Sequence, residues 1–250
     1  MKGVALNPAL SPERIDEILR READHDCAGV GESRICVKIV AIAELPTRFG
    51  RFQIAAFWNN RDAKEHVAIM RGDVFGAADV PTRVHSECLT GDAIGSLRCD
   101  CRDQLETALR AIAAEERGLV LYLRQEGRGI GLLNKIRAYG LQDRGLDTVE
   151  ANVALGFRDD EREYSIAAHM LMSLRVKSVR LMTNNPRKIN DLSRFGIQIT
   201  GRKPHVIPPN EHNRFYLETK ALKSGHFIDF AGKPHLEEQG ESVVVEGGTA

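Results

Sequence analysis

The spacing of hydrophobic positions changes along the chain, and each change marks a different kind of element. Within residues 1–35, Ser11-Pro12-Glu13 opens a short amphipathic helix carrying Ile15, Ile18 and Leu19 on one side, and a polar stretch through Gly29 and Gly31 follows. Residues 36–42, 50–57 and 66–70 alternate or run apolar between turn signals, which predicts strands. Arg71-Gly72-Asp73 reads as a turn and 82–85 as a further short strand. From Cys101 the period lengthens. Leu105, Leu109, Ile112 and Ala113 fall on one face of a helix over 102–116, which Gly118 stops. A buried strand is predicted over 119–123 and a helix over 132–141. Asp159-Asp160-Glu161 is read as the start of a third helix, with Ile166, Met170, Leu171 and Leu174 inside. A strand over 179–182, a helix from Pro186 and a strand over 197–199 complete the pattern. The expected fold class is α/β (mixed α+β): one domain over 36–230, β-rich first, with helices and strands alternating after it. Residues 1–35 are an extension and 231–250 a polar, Glu-bearing tail.

Composition narrows the function classes. Of 250 residues, 42% are hydrophobic and 28% charged, an ordinary globular balance. Lys plus Arg and Asp plus Glu are both 35, which excludes a polybasic nucleic-acid coat and leaves room for a local anion pocket. No apolar run approaches the ~18 residues of a membrane span. The first ten residues lack a basic segment followed by a long apolar run. The expectation is a cytoplasmic protein with neither a nucleic-acid nor a membrane partner. Five cysteines, an odd count in a reducing compartment, predict no disulfide framework.

Three of them, Cys88, Cys99 and Cys101, are spaced C-x10-C-x-C. Clustered thiolates suit zinc, and three ligands leave a fourth position open; three small core residues are the bland alternative. His85 is a possible fourth ligand, a phosphate contact or a packing residue. Residues 127–131 form a Gly-rich turn between strand and helix, where phosphates are often cradled, although neither common nucleotide fingerprint is present. Arg124 and Arg128 favour an anion there over a plain turn. Glu126 offers either a carboxylate for the paired donors of a guanine edge or a solvated loop charge. Asp159-Asp160-Glu161-Arg162 is open to two readings, helix-dipole stabilisation or a general base beside an arginine. Thr183-Asn184-Asn185-Pro186-Arg187-Lys188 is either a nucleotide contact or a capping turn.

The longer motifs add a resemblance. Arg83-Val-His-Ser-Glu-Cys-Leu-Thr-Gly-Asp92, Ser96-Leu-Arg-Cys-Asp-Cys101, Arg124-Gln-Glu-Gly-Arg128, Asn134-Lys-Ile-Arg-Ala-Tyr139, Asp147-Thr-Val-Glu-Ala-Asn152 and Thr183-Asn-Asn-Pro186 resemble the GTP cyclohydrolase II signature in order. The resemblance runs from about Val37 to Asp229. It implies an enzyme of riboflavin synthesis converting GTP and water to formate, pyrophosphate and 2,5-diamino-6-(5-phosphoribosylamino)pyrimidin-4(3H)-one. It implies one zinc per chain on Cys88, Cys99 and Cys101, magnesium with the triphosphate, and a homodimer. GTP contacts would be Arg83, Val84, His85, Ser86, Glu87, Gln104, Glu126, Gly127, Arg128, Thr148, Thr183 and Lys188. Asp160 would be a proton acceptor, Arg162 either a nucleophile at the α-phosphate or an electrostatic group, and Tyr139 a catalytic tyrosine. Arg102 stands where this family usually has Gly, and Gly129 where Asn is common. The alternatives are a paralogue releasing a formylated pyrimidine and a non-catalytic zinc- and GTP-binding module.

Overall fold

The structure, a computed structural model, describes residues 9–25, 34–225 and 227. The tail read over 231–250 and the stretch containing Gly29 and Gly31 lie outside the described residues. Seven strands make one mixed sheet in the order β1-β2-β3-β5-β4-β6-β7. β1 (Val37–Thr47), β2 (Gly50–Asn59) and β3 (His66–Arg71) run as an antiparallel meander, and β3 pairs antiparallel with β5 (Gly118–Leu123). β4 (Val80–Ser86) pairs parallel with β5 on one side and with β6 (Ser178–Met182) on the other, and β7 (Gln198–Lys203) closes the parallel half. With neighbours on both edges, β4 is buried from Val80 to His85, which is why it reads as a continuous run rather than an alternation.

Alternation on the other strands sorts side chains between two cores. Leu119, Leu121 and Leu123 of β5 join the larger one, with Ile18 of α1 (Pro12–Ala23) and Met170 and Leu171 of α5 (Ser165–Ser173). Val120 faces the smaller one, with Leu109 and Ile112 of α2 (Cys101–Ala113). The predicted amphipathic helix is α1, capped by Ser11 Oγ accepting from the Arg14 amide at 3.3 Å. It is fastened to the sheet. Gln53 of β2 accepts from the Leu10 amide at 2.9 Å and donates to the Leu10 carbonyl at 3.0 Å. The buried Glu22 carboxylate accepts from the Ile39 amide and from Ser173 Oγ.

Other elements depart from the pattern reading. β1 and β2 extend to Thr47 and Asn59. α3 (Gly131–Gln142) and α6 (Pro186–Arg194) sit where expected, whereas α4 (Thr148–Ala154) and α7 (Arg214–Ser224) were not anticipated. The third helix starts at Ser165 and has no acidic residue in its first turn. The acidic cluster therefore does not serve a helix dipole; Asp160 and Glu161 pair with Arg162 and Arg158 in an irregular segment. The expectation of no disulfide is also corrected, since Cys36, just ahead of β1, is disulfide-bonded. Among the described residues, Cys88, Cys99 and Cys101 are free thiols.

The chain leaves β4 for β5 on one side and later adds β6 on the other, so the winding reverses at β4. In open α/β sheets, ligand crevices form at the carboxyl ends of strands at such a reversal. Among the described residues, no helix is long and apolar enough to cross a membrane.

Candidate active site

At the carboxyl end of β4 the chain enters a single π-helical turn, Leu89–Ala93, with Cys88 as its cap. The turn curls the backbone round the Cys88 sulfur, which accepts from the Gly91 amide at 3.4 Å. The Sγ atoms of Cys88, Cys99 and Cys101 all lie within 4.8 Å of one another, and Cys88 and Cys99 are 3.7 Å apart. Two sulfurs each ~2.3 Å from one tetrahedral ion would be about 3.8 Å apart, so the spacing fits a shared metal. Three buried or half-buried thiols around one point suit zinc among the biological ions. Gly91 makes the cradle possible, because a Cβ there would meet Cys99 Sγ at 2.8 Å and Cys101 Cβ at 2.9 Å. His85 does not join the cluster. Its Nε2 is 3.0 Å from Asp92 Oδ2, the same carboxylate that accepts from Tyr122 and the Cys88 amide, and burial lowers its pKa so that it is neutral.

Beneath the cluster lies Lys135 of α3. Its ammonium donates to Cys88 Sγ at 3.1 Å, Thr90 Oγ1 at 2.9 Å and Glu126 Oε1 at 2.8 Å. Glu126 is fully engaged in turn, since Oε1 also accepts from the Gly127 amide and Oε2 from the Leu89 amide at 2.6 Å. Hydrogen bonds from Cys101 and Cys99, then the Lys135 charge, hold the Cys88 thiol well below its ordinary range, towards thiolate. Tyr139 OH is 3.3 Å from Thr90 Oγ1, and burial raises its pKa, keeping the phenol protonated.

A second pocket adjoins the thiol pocket and is cationic. Arg83, Arg128, Arg162 and Lys188 line it, with Gln104, Thr183 and His85. Arg83 donates to the Met182 carbonyl at 2.9 Å and to Gln104 Oε1, and Lys188 donates to the Val84 carbonyl at 2.8 Å. Among the described residues, the buried atoms Arg83 Nε and His85 Nδ1 have no hydrogen-bond partner, an arrangement native interiors rarely leave without a ligand or water. Val84 contributes only its backbone, for its side chain is in the core. Thr148, Glu87, Glu126 and Gly127 line the thiol pocket. Gly127 (φ 62°) and Arg128 (φ 59°) are both left-handed, and that turn swings Arg128 to the seam between the pockets.

Asp160 and Arg162 form a bidentate pair: Nε donates to Oδ1 at 2.8 Å and Nη2 to Oδ2 at 2.6 Å. Burial works to raise the Asp160 carboxyl, but the Arg162 guanidinium outweighs it and pushes the pKa down to about 2. Burial likewise opposes the Arg162 charge, and Tyr164 and Asp160 override it and raise its pKa above the usual arginine range. Ser86, Cys101, Arg128, Arg162 and Tyr216 line both pockets, which therefore share one wall.

The pattern described as GTP cyclohydrolase II matches residues 38–204, two thirds of the chain, and takes in the three thiols, the four cations and the Asp160–Arg162 pair. The chain belongs to the GTP cyclohydrolase II family. It is accordingly an enzyme, a hydrolase. Proteins named GTP cyclohydrolase-2 match it closely. That of Tolumonas auensis is 58% identical over 192 residues, covering 77% of this chain and 98% of its own. That of Pseudomonas syringae pv. tomato is 56% identical over 204 residues, covering 82% and 98%. Among solved structures, a two-domain 3,4-dihydroxy-2-butanone 4-phosphate synthase from A. baumannii aligns over 76% of this chain and 44% of its own. At 15% identity and a TM-score of 0.39, that likeness is too distant to inform the site.

Both departures from the GTP cyclohydrolase II pattern fit their surroundings. Arg102 donates to the Asp92 and Ala93 carbonyls and so caps the π-turn from α2. Gly129 (φ 96°) lies against Glu161, where a Cβ would meet its backbone at 3.0 Å. Pattern reading missed several residues that line the pockets. Lys135 stands within a quoted motif but carried no assigned role. Gln125 is buried in the thiol pocket and donates to the Glu163 carbonyl. His205 reaches the cationic pocket from the loop after β7, exchanging bonds with Asn184, and burial pushes its pKa down to about 3. Tyr216, on α7 and beyond the matched range, was signalled by no motif.

Proposed function

We propose that the chain hydrolyses GTP, opening the guanine imidazole ring at C8, with zinc held by Cys88, Cys99 and Cys101. The products are formate, pyrophosphate and 2,5-diamino-6-(5-phosphoribosylamino)pyrimidin-4(3H)-one, the entry to riboflavin synthesis. One observation carries this reading: a three-thiol cluster and a four-cation pocket share a wall at Ser86, Arg128 and Arg162. A nucleoside triphosphate has the matching shape, with anionic charge at one end and a ring to be opened at the other. Zinc bound to three thiolates supplies a Lewis acid with one position left for water.

The side chains divide the remaining work. Arg83, Arg128, Lys188 and Arg162 bind the triphosphate, which brings its own magnesium, and stabilise charge as pyrophosphate leaves. Asp160 fixes the plane of the Arg162 guanidinium and keeps it charged. Nucleophilic attack needs a neutral guanidine nitrogen, so the pair supports Arg162 as an electrostatic clamp at the α-phosphate. Tyr139 keeps its proton and can donate at the reacting ring from beside the thiols. With both oxygens engaged, Glu126 contributes by bracing Lys135 and the Leu89 amide. The reading extends to a homodimer in the cytoplasm.

Mass spectrometry of products after incubating the zinc-loaded protein with GTP and magnesium tests this. A diaminopyrimidinone monophosphate with free formate and pyrophosphate is expected. A product retaining the formyl carbon would instead indicate an early-stopping paralogue, and unchanged GTP a binding module. A chain carrying a covalently bound guanosine monophosphoryl group, or its ring-opened form, in the same spectra would return Arg162 to the role of nucleophile.

A further inference from the structure

Lys135 is a buried lysine with every donor engaged, and beyond its being braced by Glu126 neither the family motifs nor the mechanism assigns it a role. An ammonium has three donors. All three are used here, on Cys88 Sγ, Thr90 Oγ1 and Glu126 Oε1. The residue is 8% exposed, on a helix whose preceding loop supplies Glu126. A buried lysine would ordinarily reach for solvent; this one is held under a cysteine sulfur by a carboxylate that is itself pinned by two backbone amides.

We propose that Lys135 is a positioning residue for the metal centre: it offsets the charge of the thiolate cluster and sets the donor strength of the Cys88 sulfur, with Glu126 as its brace. The inference rests on the zinc reading above. Three thiolates around a divalent ion carry a net charge of −1 in a site largely closed to water, where an uncompensated charge is expensive. An ammonium 3.1 Å from one of those sulfurs supplies the missing positive charge. Its N–H···S bond also draws electron density from the sulfur, leaving the ion a stronger Lewis acid. Partners of metal ligands commonly tune sites in this way, and removing them costs 10–100-fold in metal affinity or activity. Glu126 alone beneath the thiolates would repel them; the Lys135–Glu126 pair is neutral and leaves only its cationic end against the sulfur.

The test uses the full-length protein with zinc or cobalt and needs no turnover. Lys135→Met keeps the length of the side chain and removes the charge. Lys135→Gln removes the charge while keeping a donor, and serves if the Met variant does not fold. Chelator competition is expected to show zinc held about 10–100-fold more weakly in either folded variant. In the cobalt-substituted protein the sulfur-to-metal charge-transfer band is expected to move to lower energy in Lys135→Met, because a sulfur relieved of its hydrogen bond gives up an electron more readily. A merely structural lysine would leave that band in place. Lys135→Arg, which keeps the charge, is expected to recover most of the affinity. Wild-type affinity with an unmoved band in a folded neutral variant would overturn the inference. Failure of the wild-type protein itself to hold zinc at the three cysteines would instead overturn the zinc reading on which it rests.

Discussion

A methyl group on Gly91 would lie 2.8 Å from Cys99 Sγ and 2.9 Å from Cys101 Cβ, closer than Cβ atoms come to other heavy atoms, and a tight 3.1 Å from Cys88 Sγ. Gly91→Ala must therefore lift the π-turn or spread the sulfurs. The expected result is at least about tenfold weaker metal retention, on the scale of other losses around metal ligands, with an unchanged circular dichroism spectrum; a full complement of metal in that variant would refute it. Asp160 has a different signature. Its folded pKa of about 2 lies below the ~3.9 of an unfolded aspartate. The pair therefore stabilises the fold above that unfolded value, and the contribution is lost as pH falls through about 2. The melting-temperature gap between wild type and Asp160→Asn should narrow on acidification from about pH 5 to about pH 2, and a constant gap would contradict the assignment. At this scale the cysteines were legible because C-x10-C-x-C is visible without structure. Lys135 was not, since three partners at positions 88, 90 and 126 have no common spacing with it.

Helix α1 shows how an element outside the matched range joins the core. Ile18 is fully buried between α1 and the sheet, so Ile18→Ala should lower unfolding free energy by about 2–5 kcal/mol, read from denaturant midpoints. A loss below about 1 kcal/mol would mean that α1 is dispensable. Its amphipathic spacing and Pro start were readable from sequence, and so were the strands and α2. α4 was readable in principle, because Asp147 and Glu150 form a capping box, yet seven residues give too little period to see. α7 carries only a weak apolar stripe and escaped notice. The acidic run at 159–161 misled because carboxylates at a helix start and carboxylates paired with arginine look alike in one dimension. Only the fold distinguishes them.

For the whole molecule, the reversal of winding at β4 explains how motifs far apart in the chain converge, from Arg83 to Thr183. The proposed homodimer needs an apolar surface, and α3 offers one. Leu133 is 77% exposed and Ile136 50% on α3, and Ile94 is 71% exposed after the π-turn. Such side chains are covered in a homodimer if this face forms its interface. Sedimentation should give twice the mass of the chain, and Leu133→Glu should halve it; a monomeric wild type would refute the dimer. The irregular segment that carries Asp160 and Arg162 bears a last consequence. It is held by Asn152 and Arg128 on the Asp159 carbonyl, by Arg187 on the Asp160 and Arg162 carbonyls, and by the Glu161 amide on the Arg128 carbonyl. These bonds grip main-chain atoms, which every amino acid possesses. Letters of the segment other than Asp160 and Arg162 are then free to change while its outline persists, because the outline is written in the sequence of its neighbours.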